Sequence, residues 1–561
     1  MSEVSTLPPR PQPADALPRQ RDSSFRRFAC YFCVILTLTI FAGVRFHFRN
    51  MPLERDEGEY AYMGQLLLHG IPPYKLAYTM KLPGTCMAYA AMMAVFGETP
   101  GGIRLGMIFV TTLCAILVFL LGKKLSGLLA GTIAGIVYPF LAIRPGVLGM
   151  DGHATHFVVL FAVAGILVLL RAMKPMEKTT GPPSKALFFL SGLSFGIAFL
   201  MKQPGILFGI FAGLYWLWHE RRRGWQWSRI LLPGLLFSVG VILPYALTCL
   251  WLWRAGVFAE FWFWTWSYAR AYGSIVRLHD IWPLYLQWTL PWAIRPFVLW
   301  EIALAGLAAP LWSRYARPHG GFVAGLSFAS VLAVSAGFYF RPHYFIMLLP
   351  VGAICIGIAV EYAQRELLRR NWRRAAVLPL LFFVISFVLA VRGQWKSYFH
   401  LPPLELSRRM YDKGQSFPED VVVANFIAAH AHAGDEIGVI GSEPEICFYT
   451  HLHCATSYIY MYPLMEKQRY ARRMQAEMMQ QLSTSQPRFI VYVDYERSWG
   501  WKPTLDQNRP FLDEAWNFAH LGYQLVDQVP AVDERLLDPH SHDVVPNPLR
   551  GERAGFYVFQ R

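Results

Sequence analysis

Apolar stretches of nearly bilayer length recur along the chain between residues 28 and 391. An α-helix needs about 20 apolar residues to cross a membrane. The composition agrees with membrane insertion, because a soluble protein of 561 residues would have more than 16% charged residues. The sequence therefore predicts an α-helical polytopic membrane protein with about 11 transmembrane helices. The predicted spans are residues 28–44, 103–122, 127–141, 153–170, 186–201, 204–218, 230–253, 296–312, 322–340, 344–360 and 375–391.

Basic residues are concentrated in every second connection between these stretches, which is typical of cytoplasmic loops. Residues 1–27 contain many prolines and polar residues and are predicted to be a disordered cytoplasmic N-terminus. Topology therefore accounts for the net charge of +15, and no nucleic-acid partner is expected. The basic residues on the cytoplasmic side are Arg21, Arg26, Arg27, Lys123, Lys124, Arg171, Lys174, Lys178, Lys185, Arg221, Arg222, Arg223, Arg314, Arg317, Arg365, Arg369, Arg370, Arg373 and Arg374.

One apolar stretch, residues 86–97, is too short to span and is predicted to lie along the membrane surface. Counting it as a span would reverse every later connection and spoil the charge pattern. Residues 28–391 are thus predicted to form the transmembrane domain. Its first extracytoplasmic loop covers residues 49–102 and holds two surface helices, of which the first begins at Asp56.

An odd number of spans places residues 392–561 outside the cytoplasm. Short β-like runs at 436–440, 488–493 and 555–559 alternate there with a helical stretch at 470–482. The sequence therefore predicts a C-terminal extracytoplasmic α/β domain. Cys447 and Cys454 lie in this region and could form a disulfide if it faces an oxidising compartment.

An acidic motif with three carboxylates in four positions follows the first span. Each carboxylate would cost about 2.5–3.5 kcal/mol inside hydrocarbon, so the motif must lie at the membrane boundary or in a polar cavity. Asp56 and Glu57 are the predicted catalytic residues, because a carboxylate can take the proton from an acceptor hydroxyl. Glu59 and Tyr60 are predicted substrate contacts on the same helical face as Asp56. The structural alternative is a capping box of Asp56 and Glu59.

Several cations near the ends of the predicted spans are candidates for binding an anionic leaving group. Lys81 is the first, and its alternative role is to extend towards the membrane interface. Arg341 and His343 begin a later span on the same side, where they either bind phosphate or anchor the helix. Arg270 is a weaker candidate within an aromatic run, residues 251–272, that predicts an interfacial belt or a sugar-stacking groove.

Two further residues fall on the side of Asp56. Asp151, in Gly149-Met150-Asp151-Gly152-His153, is either a turn residue or a second catalytic carboxylate. Lys202 follows a span at a break in the chain and is a predicted substrate contact. Arg104 precedes the second span and is more simply explained as an interfacial anchor.

These motifs together resemble the GT-C glycosyltransferases, and in particular bacterial family-39-type enzymes. Those enzymes are related to protein O-mannosyltransferases and to the aminoarabinose transferase of lipid A. The similarity covers most of residues 28–391, although Met80 and Leu82 differ from the residues that relatives often have beside the lysine. The segments that carry the resemblance are Arg55-Asp56-Glu57-Gly58-Glu59-Tyr60-Ala61-Tyr62, Gly70-Ile71-Pro72-Pro73-Tyr74, Lys81-Leu82-Pro83-Gly84, Gly102-Ile103-Arg104-Leu105 and Asp151.

The resemblance implies the GT-C fold and a polyprenyl-phosphate sugar donor, used at the outer face of the cell (inner) membrane and usually with inversion. It implies that Asp56 is the catalytic base or acceptor-binding acid and that Asp151 is a second cavity carboxylate. Lys81, with Arg341 or His343, would hold the donor phosphate. Lysine and arginine can neutralise a single phosphate, so no metal or other cofactor is expected. The sequence also shows no His/Cys run with zinc spacing.

The predicted function is therefore sugar transfer from a polyprenyl-phosphate carrier to an acceptor hydroxyl of a protein, lipid or glycan. The alternative is a transporter or flippase of lipid-linked sugars or polysaccharide. A transporter would place ionisable residues inside its spans and show internal repeats, whereas Glu301 is the clearest charge inside a span here. A sensor with an extracytoplasmic ligand domain would need a cytoplasmic output module, and the sequence shows none that is recognisable.

Overall fold

The computed structural model describes residues 23–173, 184–224, 226–293, 296–411, 415–500, 507–531 and 554–561. The segment 1–20, Arg21, Lys174 and Lys178 lie outside these residues. The helices before the C-terminal domain are α1 (Ser24–His47), α2 (Arg55–Leu68), α3 (Gly84–Phe96), α4 (Pro100–Ser126), α5 (Leu128–Ala142), α6 (Ala154–Ala172), α7 (Lys185–Met201), α8 (Ile206–Arg222), α9 (Trp227–Arg254), α10 (Phe258–Trp262), α11 (Ala269–Gly273), α12 (Ile281–Ala293), α13 (Phe297–Leu307), α14 (Ala309–Trp312), α15 (Arg317–Ser335), α16 (Leu349–Arg369), α17 (Leu378–Gly393), α18 (Trp395–Phe399) and α19 (Pro403–Met410).

All eleven predicted spans coincide with helices. Within the described residues, seven helical stretches are long and apolar enough to cross a membrane: Ser24–His47, Pro100–Ser126, Ala154–Ala172, Ile230–Arg254, Arg317–Phe338, Pro342–Arg369 and Ala375–Gly393. The shorter α3, α5, α7 and α13 are also apolar. The predicted polytopic α-helical membrane fold is therefore confirmed, whereas the number of crossings stays a prediction.

The start of the first helix and the presence of one later helix differ from the sequence prediction. Residues 24–27 belong to α1 rather than to a disordered segment, because the Ser23 side chain caps the helix by accepting from the Arg26 backbone N–H at 3.1 Å. The apolar helix α12 was missed because Pro283 and Pro291 interrupt its sequence. A proline in the first turn costs little, because the N–H that it lacks has no partner there.

Small residues bring the helices around the site into backbone contact. A methyl group on Gly192 of α7 would lie 2.0 Å from the carbonyl oxygen of Phe237 in α9. At the start of α3, a methyl group on Gly84 would lie 2.5 Å from the carbonyl oxygen of Leu200 near the end of α7. Helices approach this closely only where the intervening residues are small. These contacts hold the loop before α3, which carries Lys81, beside Lys202 at the end of α7.

The capping box at the start of α2 lies two residues earlier than predicted. Glu54 is the N-cap, and its Oε1 accepts from the backbone N–H of Glu57 at 3.0 Å. The Glu57 Oε2 accepts in return from the backbone N–H of Glu54 at 3.4 Å. The predicted box of Asp56 and Glu59 is therefore wrong, because glutamate is an uncommon N-cap that sequence rules do not favour. Asp56 and Glu59 therefore do not form the capping box of α2.

The helix α2 is enclosed rather than exposed on a surface. Its Tyr62 is fully buried and accepts a hydrogen bond from the backbone N–H of Cys454 at 2.8 Å. Just before the helix, the Leu53 backbone N–H donates to the Tyr449 hydroxyl at 2.8 Å. The C-terminal domain thus covers α2, while the expectation that α2 and α3 lie along the membrane surface stays a prediction. By contrast, α3 leaves Val95 exposed.

The C-terminal region contains a five-stranded sheet in the order β2–β1–β3–β5–β4. β1 runs parallel to β2 and β3, and β5 runs antiparallel to β3 and β4. The elements are β1 (Glu436–Ile440), β2 (His453–Cys454), β3 (Phe489–Asp494), β4 (Gln524–Pro530) and β5 (Gly555–Gln560), with α20 (Phe417–His430), α21 (Pro444–Thr450), α22 (Tyr462–Met465), α23 (Ala471–Ser485), α24 (Glu496–Trp499) and α25 (Arg509–Gly522). The predicted α/β character is confirmed, while the domain limits 28–391 and 392–561 stay predictions.

The sequence does not predict two strands of this sheet, β2 and β4, for different reasons. β2 has only two residues, and β4 has a register shift between Leu525 and Asp527 that breaks its alternation. Cys447 of α21 and Cys454 of β2 form a disulfide, with their Cα atoms 6.0 Å apart. The bond joins the helix that packs on α2 to the edge of the sheet.

Candidate active site

Asp56 and Glu59 share the ammonium group of Lys81. The Lys81 Nζ lies 2.7 Å from Asp56 Oδ1 and also forms an ion pair with Glu59 Oε2. The ring of Tyr60 lies under the same ammonium, 4.5 Å from Nζ to the ring centroid. The first turns of α2 and the loop before α3 therefore bring the predicted face of Asp56, Glu59 and Tyr60 together with Lys81. The two carboxylates differ in access, since the Asp56 side chain is 26% exposed and that of Glu59 only 1%.

Tyr460 of the C-terminal domain completes the surroundings of Asp56. Its hydroxyl donates to Asp56 Oδ1 at 3.0 Å, and its ring centroid lies 5.5 Å from the Lys81 Nζ. On the other side, the His343 Nε2 lies 3.9 Å from Asp56 Oδ2. The sequence analysis missed Tyr460, because a single tyrosine about 400 positions from the motif gives no local signal.

The electrostatic environment keeps Asp56 ionised. Burial raises the pKa of the Asp56 carboxyl, but Lys81, His343 and His153 together lower it by more than burial raises it. The pKa therefore lies well below its usual range. Burial raises the pKa of Glu59, and Lys81 offsets this only in part. Two carboxylates beside one ammonium group thus have different proton affinities, as in sites where one acid must remain a base near neutral pH.

Lys202 and Arg341 contribute further positive charge to the same region. The Lys202 Nζ lies 3.9 Å from the centroid of the Tyr344 ring. Burial lowers the pKa of Lys202 to about 7, and Lys81 and Arg341 lower it too, while Asp56 raises it. Arg341 is exposed, with its guanidinium 6.0 Å from the Tyr339 ring. The surroundings of Asp56 therefore contain one cation paired with carboxylates, Lys81, and two that have no carboxylate partner among the described ion pairs.

Glu57 and Asp151 lie on the opposite side of α2, where they share Arg104. The Arg104 guanidinium pairs with Glu57, at 2.7 Å from Nη2 to Oε2, and lies 3.2 Å from Asp151 Oδ1. Tyr411 donates to the second Asp151 oxygen at 2.5 Å. Burial and the Glu57 charge raise the pKa of Asp151 to about 7, although Arg104 opposes them. All three charged groups are buried, so this network joins α2 to the neighbouring loops and is closed to solvent, unlike Asp56.

The expectation that Arg104 is an interfacial anchor is wrong. Its side chain is only 3% exposed, and it also donates to the backbone carbonyls of Met150 at 3.2 Å and Pro52 at 3.3 Å. The position of Arg104 just before an apolar stretch suggested a membrane boundary, but a buried arginine with five donors can instead satisfy two carboxylates at once.

Two histidines lie beside Asp56 and raise the question of a metal ion. One ligand atom each from Asp56, His153 and His343 lies within 4.8 Å of the others. Sequence spacing could not show this group, because its members come from three distant segments. The imidazole rings are stacked, however, with centroids 4.1 Å apart and planes inclined by 15°. Imidazole binds a metal in the ring plane, and two nearly parallel planes about 4 Å apart do not bring both lone pairs to one ion.

Arg270 lies apart from the Asp56 cluster. It is exposed on the short helix α11 and lines an open cavity of about 520 Å³ together with Ser267, Ser274 and Arg469. No described hydrogen bond or ion pair joins Arg270 to Asp56, Lys81 or Lys202. The predicted phosphate-binding role of Arg270 therefore gains no support from its position.

Arg55 fastens the acidic motif to the C-terminal domain. It donates to the Ser442 carbonyl, to the Tyr462 hydroxyl at 2.6 Å and to Glu443 Oε1 at 3.0 Å. The next turn has equally close packing, because a methyl group on Gly58 would lie 2.7 Å from the backbone nitrogen of Glu445. The domain thus rests directly on the helix that carries Asp56.

Glu445 should make this contact sensitive to pH. Burial raises the pKa of Glu445 from 4.5 to about 7, and the pKa of its neighbour Asp420 is also well above normal. The folded state therefore holds a proton that the unfolded state has lost, and the free energy of unfolding should fall as pH rises from about 5 to 7. We expect Glu445→Gln to flatten this decline in the thermal midpoint. The exposed Glu514→Gln should retain it, and equal slopes in both variants would contradict the assignment.

Comparisons with known proteins agree with this architecture. Residues 83–248 match the family described as dolichyl-phosphate-mannose-protein mannosyltransferase. The undecaprenyl phosphate-alpha-4-amino-4-deoxy-L-arabinose arabinosyl transferase of Pseudomonas aeruginosa is 28% identical over 256 residues, which are 42% of this chain and 44% of that protein. The match thus spans less than half the length of this relative.

Two solved structures cover nearly the whole chain. ArnT from Cupriavidus metallidurans bound to undecaprenyl phosphate has a TM-score of 0.56 at 15% identity, over 94% of this chain and 97% of ArnT. The apo form of ArnT has a TM-score of 0.54, also at 15% identity, over 95% and 98% of the two chains. The resemblance found in the sequence is confirmed by these comparisons: the chain has the fold of the GT-C membrane glycosyltransferases.

Proposed function

We propose that this protein is a membrane glycosyltransferase that transfers a sugar from a polyprenyl-phosphate carrier to an acceptor hydroxyl at the extracytoplasmic face. The observation that carries the proposal is the geometry of Asp56, a carboxylate with Oδ1 held by Lys81 and Tyr460 and a side chain that is 26% exposed. The solved ArnT structure bound to undecaprenyl phosphate supports a lipid-phosphate donor for this fold.

The residues divide naturally between the two halves of the transfer. Asp56 Oδ2 accepts the proton of the acceptor hydroxyl as its oxygen attacks the anomeric carbon. The bond from that carbon to the phosphate oxygen breaks, and the lipid phosphate leaves with the bonding electrons. Lys202 and Arg341 stabilise the phosphate charge. Lys81 is already neutralised by Asp56 and Glu59, so its first role is to hold Asp56.

The orientation of the chain is part of the proposal. The basic connections support a topology in which α2, α3 and the C-terminal domain lie outside the cytoplasm. The disulfide between Cys447 and Cys454 supports this side, because such bonds persist in oxidising compartments. The topology can be tested by introducing a cysteine at position 98 or position 123 and labelling intact cells from outside. We expect the cysteine at Glu98 to react and the one at Lys123 to stay unlabelled. Reaction at the Lys123 position alone would contradict the topology.

The function is tested by supplying purified protein with a panel of polyprenyl-phosphate sugars and measuring release of the lipid phosphate. Turnover of at least one donor is expected, with or without a chelator, because the leaving group is a single phosphate that lysine and arginine can neutralise. Donor binding without any release, together with movement of the intact donor across vesicles, would favour the transporter alternative. No turnover and no binding would overturn both.

Lys202 should impose a pH dependence on donor affinity. The ammonium group attracts the donor phosphate, and its pKa of about 7 means that this charge is lost as pH rises above neutrality. We expect KM for the donor to increase above pH 7 by up to about tenfold per pH unit. Lys202→Arg should keep KM low at alkaline pH, because guanidinium does not deprotonate there. An identical rise in the variant would assign the pH dependence to another group.

A further inference from the structure

The C-terminal domain places a side chain directly on the proposed catalytic carboxylate. Resting on the proposed function, we infer that Tyr460 is a positioning residue for Asp56: it fixes the rotation of the carboxylate so that Oδ2 faces the acceptor and favours the ionised form. The sheet domain is then part of the active site, rather than an independent module beside it.

The segment that carries Tyr460 is held at both ends. At its start, the Tyr78 backbone N–H donates to the Ser457 carbonyl at 2.7 Å, and the Ser457 hydroxyl donates to the Lys75 carbonyl at 3.2 Å. At its end, the Tyr462 hydroxyl accepts from Arg55 at 2.6 Å. The segment 457–462 therefore lies between the loop that carries Lys81 and the first turn of α2, with little freedom to move away.

The hydrogen bonds of Asp56 are distributed unequally between its two oxygens. Oδ1 accepts from Lys81 at 2.7 Å and from Tyr460 at 3.0 Å. No donor in the described parts of the chain lies within hydrogen-bond distance of Oδ2, since His343 Nε2 is 3.9 Å away. Two donors that converge on Oδ1 from different segments prevent the carboxylate from rotating. Oδ2 is thereby the oxygen left to receive a proton.

The ring and the hydroxyl of Tyr460 have separable roles. The ring flanks the Lys81 ammonium at 5.5 Å, as the Tyr60 ring does at 4.5 Å, and this contact does not require the hydroxyl. The hydroxyl alone donates to Asp56. Burial, followed by the Asp56 charge, raises the pKa of Tyr460 well above its usual value, so the group remains a donor throughout any practical assay.

The Tyr460→Phe variant isolates the hydroxyl because it preserves the ring. We expect kcat to fall by about tenfold and KM for the donor to stay within about twofold, since a hydrogen bond to a charged group is lost without a change at the phosphate cations. The acidic limb of the pH profile of kcat/KM should move to higher pH by about one unit, because the ionised form of Asp56 loses a donor.

Tyr458→Phe is the matched control. Tyr458 lies in the same segment and packs against Tyr78, but no described hydrogen bond joins it to Asp56, so the variant should keep the wild-type kcat and pH profile. In the Asp56→Asn background, Tyr460→Phe should cause no further loss, because the group that it positions is absent. A wild-type profile in Tyr460→Phe, or independent effects in the double variant, would overturn the inference. Wild-type protein without turnover would instead overturn the proposed function itself.

Discussion

The Asp56→Asn variant is expected to lose turnover by about 10²–10⁴-fold, the usual contribution of a general base. Asparagine has nearly the same size, and its oxygen can still accept from Lys81 and Tyr460, but it cannot take a proton from the acceptor. The ion pair between Lys81 and Glu59 remains, so the loop before α3 should stay in place. The measurement is the initial rate of lipid-phosphate release, with donor binding determined separately.

The control for this result is Asp280→Asn, which removes a carboxylate that is 46% exposed and pairs only with His279 among the described ion pairs. It should retain full activity. The thermal midpoint of the Asp56→Asn variant should stay within a few degrees of the wild type, which separates a chemical defect from unfolding. Unaltered turnover in a folded Asp56→Asn protein would remove Asp56 from the mechanism.

The Arg104→Met variant is expected to be strongly destabilised. Glu57 and Asp151 are both fully buried and share this one guanidinium, so its loss leaves both buried carboxyl groups without their ion-pair partner. Removing one partner of a buried ion pair typically costs about 3–5 kcal/mol. We therefore expect a marked decrease in the thermal midpoint of the purified protein and a low yield of folded material.

Arg369→Met provides the comparison. Arg369 pairs with Glu366 by a 2.8 Å contact, but its side chain is 41% exposed, and exposed pairs contribute only about 0–1 kcal/mol. Adding Glu57→Gln to Arg104→Met should recover part of the stability, because the unpaired buried carboxylate of Glu57 is then removed. Equal thermal midpoints for Arg104→Met and Arg369→Met would show that the buried network contributes little.

The sequence revealed the class of fold and the main parts of the site because these have local signals. Apolar length predicted the helices, and the polarity of Asp56, Glu59 and Lys81 in an apolar chain marked residues that the structure brings together. The division of the carboxylates between the two sides of α2 could not be predicted from local signals. That division depends on the Glu54 cap and on Arg104, whose contacts with Glu57 and Asp151 join distant segments.

The contribution of the C-terminal domain was also beyond sequence reasoning. Tyr460 and Tyr462 reach the acidic motif through tertiary contacts that join the two ends of the chain. The stacking of His153 on His343 is another such contact. Periodicity and spacing describe neighbours along a helix or strand, whereas these pairs arise only when distant segments of the chain fold together.

The grip of Arg55 on the C-terminal domain limits how proteins of this architecture can be recombined. Its guanidinium contacts Ser442, Tyr462, Glu443 and Gln415, the last at 3.1 Å, all of which belong to the later part of the chain. In a chimaera with a sheet domain from another protein, Arg55 would be buried without hydrogen-bond acceptors unless the new domain supplied equivalent ones. The membrane domain and the C-terminal domain should therefore have changed together during evolution. Chimaeras that exchange one domain without the other should be inactive even when each domain folds.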